Sequence, residues 1–119
     1  MPTLTQEQIN LALREMGPEH LRRDLRADWS ETNPTRNYCY VIAEFVYWYV
    51  APAKSTAWEL KLPGERAPHR FVMTPKGEII DYAAEQFDFT LDYAAARPKM
   101  FMQTGGRGPS ARAKLLAEL

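Results

Sequence analysis

Three side chains of this sequence have the types that thiol-based catalysis requires: Cys39, His69 and Asp81. A thiol nucleophile needs a base within hydrogen-bond reach, and the base needs a third group that fixes its tautomer and stabilises the imidazolium. Cys39 is the single cysteine of the chain. We hypothesise that Cys39 attacks a carbonyl group, that His69 is the base and that Asp81 orients the imidazole.

Cys39 follows a polar, turn-forming segment and opens an apolar run that extends to Val50. Asn33 as N-cap and Pro34 as first helical residue predict a helix start, and Asn37 is an alternative cap that would place Cys39 in the first turn. A thiol there feels the positive end of the helix dipole, which favours the reactive thiolate. The backbone N–H of Cys39, with the Asn37 side chain, would then supply an oxyanion hole.

The helix that begins near Cys39 is predicted to be buried, because it is apolar nearly all round until Ala51-Pro52 ends it. Glu44 is the exception inside this apolar run. A carboxylate at such a position must either extend to solvent or have a partner. The sequence leaves both options open, and Glu44 is one of the residues that would support the site.

A β-hairpin is predicted to bring His69 and Asp81 together. Segments 69–74 and 78–82 have the composition of strands, and Pro75-Lys76-Gly77 suits a three-residue loop with a left-handed glycine. This loop pairs Val72 with Ile80, so that His69 and Asp81 become diagonal neighbours on one face. A two-residue loop would shift the register and send Asp81 to the opposite face.

The remaining elements indicate an α+β fold in a single domain, 1–119, with the Cys39 helix packed on a small antiparallel sheet of three to five strands. A capping box at Thr5 and Gln8 opens a first helix, which Gly17-Pro18 ends. The other predicted elements are a short helix after Pro18 with Leu21 and Leu25 inward, a half-buried strand over 58–62, a helical turn over 83–87 and a helix capped by Ser110.

Composition narrows the function classes. Fifteen basic and fifteen acidic residues give zero net charge, so nothing indicates binding to nucleic acid or to an anionic membrane. The longest apolar run is shorter than the roughly 20 residues that a membrane span needs. A single cysteine and an N-terminus without a signal-peptide pattern favour a soluble, cytoplasmic protein.

No phosphate, cofactor or metal motif is visible, so we expect a protein or peptide substrate and no cofactor. The segment Gly105-Gly106-Arg107-Gly108 has the composition of an anion-binding nest. Such a segment is more often a simple linker, and both readings stay open.

Segments 33–50, 69–87 and 105–119 share a pattern with a known family. Asn-Pro-Thr precedes Cys-Tyr-Val with a glutamate on the same helix, a histidine opens an aromatic-containing strand, Gly-x-Ile-Ile-Asp follows, and Pro-Ser-x-Arg-Ala lies near the C-terminus. The chain thereby resembles the YunG-like proteins of bacteria and their phages. The order of Cys, His and Asp also resembles the papain-like superfamily, as in its transglutaminase-like and NlpC-type members.

The resemblance implies a papain-like mini-fold, with Cys39 as nucleophile, His69 as base and Asp81 as orienting residue. It also marks Glu44, Gln86, Arg107 and Arg112 as recurring positions without an assigned role. Two departures are visible: Arg70-Phe71 follows the histidine where an aromatic residue is expected first, and Tyr82-Ala83 stands where a small or proline residue and threonine are expected. Arg70 would alter the cleft.

These observations favour a cysteine-dependent acyl-transfer enzyme, an amide or isopeptide hydrolase, deamidase or transferase. An alternative of a different class remains open at this point. Cys39 could be a buried structural residue, since free cysteine is among the most buried residue types. The chain would then be a catalytically inactive binding module, for example a phage accessory protein that inhibits a host factor.

Overall fold

The computed structural model describes residues 4–65, 67–102, 105 and 107–119. Within these residues, helices pack on a small four-stranded antiparallel sheet, which confirms the predicted α+β class. The α-helices are α1 (Gln6–Met16), α2 (Cys39–Phe45) and α3 (Ala111–Glu118), and the strands are β1 (Thr56–Leu60), β2 (His69–Met73), β3 (Ile79–Ile80) and β4 (Arg97–Pro98). Short 3-10 helices cover Pro18–His20, Arg23–Asp28, Ala84–Gln86 and Tyr93–Ala95, and a π-helical turn covers Val46–Val50.

The first helix confirms its sequence signals. Thr5 caps α1, and both hydrogen bonds of the predicted capping box with Gln8 are present. The buried side of α1 faces the core, and Gly17 ends the helix with a φ of +67°. Two 3-10 helices follow in place of the single short helix that was predicted; Leu21 lies between them and Leu25 lies in the second, and both side chains are buried as predicted. Among the described residues, no helix has both the length and the apolar character needed to cross a membrane.

The start of α2 differs from both sequence predictions. The helix begins at Cys39, with Tyr38 as the N-cap residue, and neither Asn33 nor Asn37 caps it. Asn37 instead adopts a left-handed conformation, with φ of +66°, in the turn that reverses the chain. Asparagine is one of the few side chains that accept this geometry readily. Cys39 is therefore in the first helical turn, as the Asn37 alternative required.

The far end of this helix is less buried than its composition indicated. After Phe45 the helix widens into the π-helical turn, and Ala51 closes it by donating to the Val46 carbonyl over 2.7 Å. Tyr49 and Val50 are exposed in this turn. The predicted burial on most sides is confirmed for the first turns of this helix and is wrong for its last, π-helical turn.

The hairpin has the predicted register. Val72 pairs with Ile80, and the Thr74 N–H donates to the Glu78 carbonyl over 2.8 Å, which leaves a three-residue loop. Gly77 has a φ of +83°, the left-handed conformation that the loop requires. The strand order is β3-β2-β1-β4. The short β4, which pairs with β1, lies in a region where the sequence showed no periodic pattern.

The two faces of the sheet are covered by different parts of the chain. Ala57 and Val72 point into the main core, which α1, α2 and α3 complete. Leu60 and Phe71 belong to a second, smaller cluster on which residues 84–96 pack. Both faces of the central strands are therefore covered, and the catalytic candidates lie where β2 begins, beside α2.

Candidate functional site

The thiol of Cys39 faces a cleft of about 230 Å³. Cys39 is partly exposed, so it is not enclosed in the apolar core. Its Sγ lies 3.7 Å from the carbonyl oxygen of Pro68, the residue that precedes His69. The first residue of α2 and the first residue of β2 therefore line the same cleft.

His69 and Asp81 form the predicted pair. Nε2 of His69 lies 2.7 Å from Oδ2 of Asp81. Both side chains are withdrawn from solvent, with exposed fractions of 0% for His69 and 4% for Asp81. The rings of Phe71 and Phe87 pack against the imidazole. In this low-dielectric setting a hydrogen bond between oppositely charged groups is strong.

The His69 imidazole is set up to carry a positive charge. Burial by itself lowers the pKa of His69, but the hydrogen bond to Asp81, the nearby Cys39 side chain and the negative charge of Asp81 outweigh that effect. The result is a pKa raised from 6.5 to about 9. Imidazolium is therefore the dominant form of His69 at neutral pH.

The second ring nitrogen of His69 is the one left for the thiol. Nδ1 is buried, and among the described residues it has no hydrogen-bond partner of ordinary geometry. A buried polar atom without a partner is unusual and often marks a functional position. Because Asp81 occupies Nε2, proton transfer with Cys39 would use Nδ1.

Asp81 is itself held by two further contacts. The Tyr93 hydroxyl donates to Oδ2 over 2.6 Å, and the Ala83 N–H donates to Oδ1 over 3.1 Å. Burial and the contacts with Asp81 raise the pKa of Tyr93, so its hydroxyl remains a donor. Tyr93 was missed by sequence reasoning, because its neighbourhood has no helical or strand period that would reveal its direction.

Asn37 and Gln86 hold the turn that presents Cys39. The Gln86 side chain accepts a hydrogen bond from the Asn37 backbone over 3.1 Å and donates to the Ala83 carbonyl over 3.1 Å. The Asn37 side chain donates to the Leu25 carbonyl over 2.9 Å. One N–H of that amide is thus used to anchor the turn, and the other N–H makes no hydrogen bond to a described residue. No hydrogen bond among the described residues uses the backbone N–H of Cys39.

Glu44 has a partner away from the cleft. Its side chain is fully buried and accepts hydrogen bonds from the Ser110 N–H over 3.0 Å and from the Ser110 hydroxyl over 2.6 Å. Ser110 caps α3 by accepting from the Ala113 N–H over 3.3 Å. Glu44 therefore anchors α3 to α2, and it does not line the cleft.

The other positions marked by the family resemblance have different surroundings. Arg112 lines the cleft and donates to the His20 carbonyl over 3.2 Å, whereas Arg107 is exposed. The predicted glycine nest includes Gly106, which lies outside the described residues. In the part of the chain that the structure describes, no group of three or more His, Cys, Asp or Glu side chains could hold a metal ion.

Comparison of the chain with models of protein families, with characterised proteins and with solved structures gave no significant match. The fold and the site define an α+β protein in which a cysteine and a histidine line one cleft and an aspartate binds the histidine.

Proposed function

We propose that the chain is a cysteine-dependent acyl-transfer enzyme of papain-like architecture, acting on a protein or peptide. The observation that carries this proposal is that Cys39 and His69 line one cleft, that His69 is bound to Asp81, and that Nδ1 of His69 has no hydrogen-bond partner among the described residues. Because catalysis needs the free thiol, we expect the protein to act in a reducing compartment such as the cytoplasm.

The proposed reaction has two stages. The Cys39 thiolate attacks the substrate carbonyl, and the oxyanion that forms accepts hydrogen bonds from the Cys39 backbone N–H and from the free N–H of the Asn37 amide. The His69 imidazolium then gives its Nδ1 proton to the leaving amine as the C–N bond breaks. Water or a second amine, deprotonated by His69, attacks the acyl-enzyme and releases Cys39.

One observation favours the alternative of an inactive binding module. The His69 side chain is fully buried under Phe87, and a base must come within hydrogen-bond distance of the leaving group. A catalytic protein would deliver the proton from the Cys39 side of the ring, across the cleft. In a binding module, Cys39 would be unreactive, or its reaction rate would not depend on His69.

The proposal is tested by treating the native protein with a panel of electrophilic activity probes and mapping the labelled residue by mass spectrometry. We expect labelling confined to Cys39 in the folded protein, fastest with acyl-type electrophiles. Since Cys39 is the single cysteine, the Cys39→Ala variant is a complete control. Labelling that occurs only after denaturation would refute the proposal and leave the binding module.

A further inference from the structure

The charged side chains that line the cleft differ in whether they have an ion-pair partner. Glu59 is bound by Arg97 over 2.7 Å, and Glu65 is bound by Arg36 over 2.7 Å. Both carboxylates of the cleft wall are thus neutralised by arginines. Arg70 lines the same cleft, and no carboxylate among the described residues lies within ion-pair distance of it.

Arg70 is a buried cation held by neutral groups. The residue is 6% exposed, and its guanidinium donates through Nε to the Trp58 carbonyl over 3.1 Å and through Nη2 to the Lys99 carbonyl. The guanidinium carbon lies 5.2 Å from the Tyr40 ring centre and 4.6 Å from that of Phe101. These contacts fix the position of the charge without cancelling it.

One edge of this guanidinium is left for a ligand. Nη1 makes no hydrogen bond to a described residue, although an arginine keeps its charge in proteins and its planar group suits paired contacts with a carboxylate. Burial lowers the pKa of Arg70, and interactions with groups that include Tyr40, Glu59 and Cys39 oppose that effect. Arg70 and Cys39 line the same cleft, so the cation is available to a ligand that binds beside the sulfur.

We propose that Arg70 forms an anion-binding subsite beside Cys39, so that the preferred substrates carry a carboxylate next to the carbonyl that the thiol attacks. This inference rests on the proposed function, because it assigns the substrate class of the same site. A fixed cation that has no ion-pair partner among the described residues attracts a carboxylate in a partly desolvated cleft. An arginine that only supported the fold would leave the choice between neutral and anionic reagents unchanged.

The test compares the rate at which Cys39 reacts with iodoacetate and with iodoacetamide, two alkylating reagents that differ mainly in charge. Relative to glutathione, we expect the native protein to favour iodoacetate by roughly three- to tenfold at low salt, with a smaller preference at high salt. Arg70→Gln should remove this preference, and Arg70→Lys should keep most of it. Arg22→Gln is the matched control, since Arg22 also lines the cleft but is 60% exposed and pairs with Asp24.

Two sources of the carboxylate are separated by chloroacetyl peptides. Chloroacetyl-glutamate amide carries it on a side chain, chloroacetyl-glutamine carries it at the C-terminus, and chloroacetyl-glutamine amide is neutral. The anionic reagent whose advantage disappears in Arg70→Gln identifies the source. If neither anionic reagent has an advantage over the neutral one, the subsite proposal is wrong.

Failure of this inference differs from failure of the proposed function. The proposed function fails if alkylation by neutral iodoacetamide does not depend on His69. The subsite fails if the iodoacetate preference is absent, or if it is lost in His69→Asn with Arg70 intact, because the imidazolium would then be its source. If Arg70→Gln does not fold, the iodoacetate preference of the native protein and that of His69→Asn still test the subsite.

Discussion

Replacement of His69 by asparagine is expected to slow the alkylation of Cys39 by iodoacetamide about tenfold at pH 7. Asparagine can neither accept the proton of the Cys39 thiol nor carry a positive charge, so the variant lacks the base that generates the nucleophile. The effect on turnover of a substrate would be larger, on the order of 10²- to 10⁴-fold, since proton transfer to the leaving amine is also lost.

The control for this prediction is His20→Asn, because His20 is the other histidine of the chain and does not line the cleft. Cys39 should be alkylated at the same rate in His20→Asn as in the native protein. Circular dichroism must show that His69→Asn is folded before rates are compared. An unchanged rate in folded His69→Asn would show that Cys39 reacts without a base.

The second large effect is on stability. Glu44→Ala is expected to lower the free energy of unfolding by roughly 2–4 kcal/mol, because two hydrogen bonds to a buried carboxylate are lost and the Ser110 donors are left without their partner. Chemical denaturation of the two proteins measures the difference. The rate of Cys39 alkylation in the folded variant should remain near the native value, since Glu44 does not line the cleft.

A double-mutant cycle with Ser110→Ala identifies the source of this effect. If the contact between Glu44 and Ser110 is responsible, the two single substitutions will not add, and the coupling free energy will be about 1 kcal/mol or more. Additive losses would mean that Glu44 stabilises the fold through other contacts. A large loss of alkylation rate in folded Glu44→Ala would instead make Glu44 part of the site.

Local sequence signals specify one part of the site, the hairpin that carries His69 and Asp81. Pro75-Lys76-Gly77 fixes a three-residue loop, the loop fixes the register of β2 and β3, and the register places His69 beside Asp81. The capping signals at Thr5 and Ser110 were equally local and equally reliable. In each case, the residues that determine the geometry lie within a few positions of one another.

The residue that caps α2 could not be predicted, because side-chain contacts outside the helix override the local capping signals. The Asn33 side chain donates to the Gln86 carbonyl and Trp29 donates to the Pro34 carbonyl, so this segment is held as a turn. A long-range partner that sequence spacing cannot reveal likewise fixes Tyr93, whose hydroxyl binds Asp81. Arg70 is a similar case, since its aromatic neighbours Tyr40 and Phe101 lie far from it in the sequence.

Cys39 and His69 line the same cleft, and the contact proposed between the thiol and the imidazole would change the pKa of His69. Because the folded pKa is raised above the unfolded 6.5, the stabilisation that this group contributes is complete below pH 6.5 and is lost as the pH rises through about 9. Cys39 is one of the causes of that raised value. Removal of the Cys39 sulfur is therefore expected to lower the pKa of His69.

Nitrogen NMR of the imidazole rings, recorded against pH in the native protein and in Cys39→Ala, tests this contact most directly. With two histidines in the chain, His20→Asn assigns the signals. We predict that His69 stays protonated in the native protein up to about pH 9 and that its pKa is lower in Cys39→Ala. Identical titration of His69 in the two proteins would contradict the pairing of thiol and imidazole on which the proposed chemistry depends.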